Sequence, residues 1–93
     1  MNTRSIRSNI VEARDELAAI LALLDSGELD REEEFQVRLE HAYHHLNFAW
    51  HTRDVPDSRV VACEQHDFDA WKLFPVGDDW SLHADASASP ASQ

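Results

Sequence analysis

The chain has 93 residues and a formal net charge of −10, with 18 acidic side chains against eight lysines and arginines. Such a charge repels phosphate backbones, which argues against direct nucleic-acid binding. The longest apolar run, residues 17–24, is far too short to cross a bilayer, and residues 1–10 lack the apolar core of a signal peptide.

A cytoplasmic protein with no membrane partner is therefore expected. The length suits one domain, near the lower limit of what can bury its own core. Cys63 stands alone, so an internal disulfide and a multi-cysteine zinc site are both ruled out.

In chain order, residues 5–25 read as a first helix. Ile6, Ile10, Ala13, Leu17, Ile20 and Leu24 form one stripe at helical spacing, with Leu21 beside it. Thr3 or Ser5 is positioned to cap its start. Gly27 stands where a left-handed residue ends a helix.

A second, longer helix is expected over residues 30–54, with Asp30 and Glu33 spaced as a capping box. Glu32, Glu33 and Glu34 favour its positive end, and Pro56 forbids much continuation. Phe35, Leu39, Ala42, Leu46 and Ala49 form its apolar stripe, with Tyr43 and Trp50 on the shoulder. The connection between the two helices is short, so they must run antiparallel as a hairpin.

Residues 55–65 mix turn, extended and helical signals, which leaves irregular structure or one helical turn. Residues 66–74 read as a short third helix carrying Phe68 and Trp71, stopped by Pro75. Trp71 and Trp80 are expected to pin this segment across the hairpin. The domain is thus expected to span residues 1–83. Residues 84–93 contain no large apolar side chain and are expected to form a disordered tail.

The back of the second helix carries Val37, His41, His44, Phe48 and His51 at the same 4, 3, 4, 3 spacing. Imidazoles and apolar groups there imply a covered face. The expected architecture is all-α: an antiparallel two-helix hairpin, a short third helix packed across it, and completion by homodimerisation. Val37, His44, Phe48 and His51 are the expected interface.

Chemistry centres on the histidines. His41 and His45 lie one turn apart, and His41 and His44 are also neighbours, so His41, His44 and His45 form a candidate divalent transition-metal site. No H-E-x-x-H or Glu-x-x-His motif is present. Cys63 has His66 three residues on, but its flank of Val60, Val61 and Ala62 suits a buried small hydrophobe better than a nucleophile. Asp67 and Asp69 would point apart on a helix, a poor arrangement for acid–base work.

Tyr43, Phe48 and Trp50 at helical spacing read as core more readily than as a ligand pocket. The reading is a non-enzymatic interaction protein acting as a homodimer, with no cofactor. The alternatives are a metal-binding protein, or an acidic inhibitor or nucleic-acid mimic that occupies a basic protein partner.

Overall fold

A computed structural model describes residues 1–77. The described residues form four helices and no strand: α1 (Thr3–Ser26), α2 (Glu32–His51), α3 (Asp57–Val61) and α4 (Gln65–Trp71). The first two pack along their length as the expected hairpin. The expected docking of Trp80 and the expected tail at residues 84–93 lie outside the described residues.

Each boundary has a local cause. Asn2 caps α1, its side-chain oxygen accepting from the Ser5 N–H at 3.0 Å. Ser5, an expected cap, is instead buried inside the fold. At the other end Gly27 adopts φ 76°, and the Glu28 N–H reaches back to the Leu23 carbonyl at 3.0 Å. An L-side chain would be strained in that conformation even though the space around it is open.

The capping box expected at Asp30 and Glu33 does not form. Arg31 stands at the cap with extended backbone and no side-chain bond, and α2 begins at Glu32. The three first-turn glutamates answer the positive helix end by charge alone. A carboxylate cap forms on α4 instead, where Asp67 accepts from the Glu64 N–H at 3.0 Å.

That helix stops at Trp71, earlier than expected, and Phe74 lies beyond it. The ambiguous linker contains one short helix, α3. Cys63, expected inside, is exposed, because α3 lies at the surface with Val61 almost fully in solvent.

The core departs most from the periodic pattern. The periodicity predicts both stripes to be buried, yet among the described residues the deeply buried aliphatic side chains are Ala13, Ile20, Ala42 and Ala49. Helical spacing marks a face wider than the line along which two cylinders touch. The small alanines occupy that line, and the larger members of each stripe fall to one side of it.

The outer face of α2 is covered over its C-terminal half by α4. Phe48 meets Phe68 at 5.5 Å between ring centroids and Trp71 at 6.0 Å, nearly edge-on. Asn47 donates to the Lys72 carbonyl at 2.8 Å, and His51 donates to that of Leu73 at 3.0 Å. Trp71 thus docks on the hairpin as expected.

Candidate functional site

The seam between α1 and α2 has two unlike flanks. One is polar along its length. At one end Ser5 and Thr52, both buried, share a hydroxyl–hydroxyl bond of 2.7 Å, and Thr52 donates onward to the Phe48 carbonyl at 2.7 Å. A hydroxyl has one proton, so Ser5 must be the donor to Thr52. One turn along α1, the Asn9 amide oxygen lies 2.8 Å from His45 Nδ1.

Two turns further, Glu16 accepts from His41 Nδ1 at 2.9 Å and from Arg38 at 3.1 Å, and Arg38 also reaches Glu34 at 3.2 Å. The Glu16 carboxyl is only slightly exposed. The hydrogen bond from His41, reinforced by that from Arg38, holds it below the usual carboxylate range against the opposing effect of burial.

His41 and His45 meet on this flank. Their Nε2 atoms are 3.2 Å apart and their rings are edge-on at 4.7 Å between centroids. Burial, with the neighbouring His41 adding to it, pushes the His45 imidazole below its ordinary value.

The other flank is apolar and bare. Ile10, Leu17, Leu21 and Leu24 of α1 and Phe35, Leu39 and Leu46 of α2 are each between 41% and 62% exposed. Ile10, Leu17, Leu21 and Leu46 edge a shallow groove of about 400 Å³ on this side. A second groove continues past Leu46 and Ala49 to Trp50, whose ring is covered by Arg53 at 3.8 Å.

No family model, curated protein or solved structure matches this chain. Its candidate sites are therefore the two flanks themselves.

Of the three histidines read as metal ligands, the fold brings His41 and His45 together. His44 lies apart from them, tilted against Tyr43 at 6.0 Å between centroids. Among the expected interface residues, Phe48 and His51 are engaged by the α4 segment, and Val37 is two-thirds exposed.

The thiol of Cys63 meets the Glu64 carbonyl at 3.5 Å, while the His66 ring lies against the Asp67 and Glu64 carboxylates. Asp67 is gripped by both guanidinium nitrogens of Arg59, at 2.5 and 2.6 Å, and Asp69 accepts from Gln65 at 2.8 Å. Phe48 and Trp50 leave α2 on different sides, so the aromatic trio lines no common pocket.

Asn9 and Glu16, which position the two imidazoles, were missed from sequence. The signal was present: Ser5, Asn9, Glu12 and Glu16 recur at 4, 3, 4 spacing beside the apolar stripe of α1.

Proposed function

We propose that the protein is a non-enzymatic, self-associating helical module in which two copies pair through their bare apolar flanks into a four-helix assembly. The observation that carries this reading is the row of seven large aliphatic and aromatic side chains, half in solvent, along one side of both helices. A strip of that kind, rimmed by polar residues, marks an association surface.

A second copy is favoured over an unrelated partner because the deficit concerns folding itself. Among the described residues, three alanines and one isoleucine make a thin core for a hairpin of this length. A chain so short of buried surface is completed most readily by its own kind, since the strip runs along two antiparallel helices and a two-fold axis can lay it on itself.

The contact so placed lies away from Val37, His44, Phe48 and His51, because α4 already occupies Phe48 and the segment just after it occupies His51. Mimicry of nucleic acid has less support. Glu32, Glu33 and Glu34 stand at the start of α2, and Asp67 and Asp69 lie beside its far end, about 20 Å away at 1.5 Å per residue. Asp67 is moreover already neutralised by Arg59.

Sedimentation velocity at micromolar concentration tests the proposal. A species of twice the 10.6 kDa chain mass is expected, and a monomer at every accessible concentration would overturn it.

A further inference from the structure

We propose that His41 and His45 form a docking site for one divalent transition-metal ion of the zinc class on the polar flank of the α1–α2 seam. Asn9 donates through Nδ2 to the Ser5 carbonyl at 3.0 Å, which leaves its amide oxygen facing His45 Nδ1. An amide oxygen only accepts, so that Nδ1 carries hydrogen.

Glu16, ionised beside Arg38, likewise only accepts, so Nδ1 of His41 carries hydrogen too. A neutral imidazole has a single N–H. With both rings neutral the two Nε2 atoms hold lone pairs 3.2 Å apart, and with one added proton one Nε2 donates to the other across that distance.

A metal ion that displaces that proton meets two nitrogens already converging on one point. Zinc–imidazole bonds of about 2.0–2.1 Å to nitrogens so placed enclose an angle of about 100°, near the tetrahedral value. Metal-bound histidines characteristically donate their other N–H to a carboxylate or carbonyl, which fixes the ring and its tautomer. Glu16 and Asn9 already stand in those two places. The site is shaped as an outer shell would shape it, and helical proximity of two histidines does not by itself produce that.

His44, tilted toward Tyr43, takes no part. Among the described residues no third His, Cys, Asp or Glu completes a set. The remaining coordination positions thus fall to water or to a donor group from a visiting molecule, so the site is an open one. It lies on the opposite side of the seam from the apolar strip, and its test is independent of self-association.

The experiment is a titration of tag-free protein with Zn2+ by calorimetry at neutral pH, alongside Co2+ followed by visible absorption. One ion per chain is expected. His41→Gln or His45→Gln should weaken binding at least tenfold, and Asn9→Ala by about tenfold or more as an orienting residue. His44→Gln should leave it unchanged.

Absence of saturable uptake by the wild-type chain overturns the proposal, as does equal loss in His44→Gln, which would mean indiscriminate surface imidazoles. Should a variant lose helicity, imidazole nitrogen NMR of the wild-type chain decides. Zn2+ must shift Nε2 of His41 and His45 while both Nδ1 atoms stay protonated, and any other ring pattern rejects the site.

Discussion

Ser5 donates its hydroxyl to Thr52 across 2.7 Å, joining the first turn of α1 to the residue that ends α2. Thr52 is fully buried and passes its own proton to the Phe48 carbonyl. Thr52→Val keeps the shape but leaves the Ser5 hydroxyl without its acceptor, at a cost of about 1–3 kcal/mol in urea unfolding. Adding Ser5→Ala to that variant should recover much of the loss, because the orphaned donor is then gone. A double-mutant cycle with no coupling would show that this bond does not set the register.

The apolar strip makes a prediction about concentration. If two copies share it, the melting temperature rises with protein concentration, as it must when association stabilises only the folded state. Leu17→Glu combined with Leu46→Glu should abolish that dependence and halve the sedimenting mass. Val37→Glu, on the back of α2, should leave the mass unchanged. A variant pair that behaves in the opposite way places the contact on the other face.

Asp67 gives a pH dependence with a defined sign. The Arg59 guanidinium beside it, together with the Glu64 N–H, holds its carboxyl well below the usual carboxylate range. A depressed folded-state value means that the unfolded chain takes up the proton first. The contribution is complete above the unfolded value of about 3.9 and is lost as pH falls below it towards the folded value.

Glu16 is shifted in the same direction. The urea midpoint should therefore fall between pH 4 and pH 2. Asp67→Asn should start from a lower midpoint at neutral pH and show a shallower fall.

The hairpin was legible in the residues because its determinants are local: 3.6-residue periodicity, a glycine at the left-handed position that ends α1, and a connection too short for anything but reversal. Burial within each stripe was not legible. Leu17 and Ala13 sit on the same stripe, and which of them faces the neighbour depends on the rotation of both helices together. That rotation brings the alanines to the contact line, with Ser5, Asn9 and Glu16 meeting Thr52, His45 and His41 beside it.

The same holds for the imidazoles. Their proximity on α2 follows from spacing alone, whereas their orientation depends on an asparagine and a glutamate from a helix at least 25 positions away. The covered back face was inferred correctly at Phe48. Its cover, however, is α4 of the same chain.

The small lobe made by α3 and α4 rests on α2 through one aromatic cluster and a few hydrogen bonds, and on α1 only through α3 and the exposed Arg4–Asp57 pair, so it opens more cheaply than the hairpin. Its detachment would bare Phe48 on the same face of α2 as Val37, three turns away, and give the rod adhesive surfaces on two sides. A particle that is sticky on one side closes into a pair, but one sticky on two sides grows. On warming, turbidity should therefore appear before helical circular dichroism declines, and Phe68→Ala should bring its onset to lower temperature.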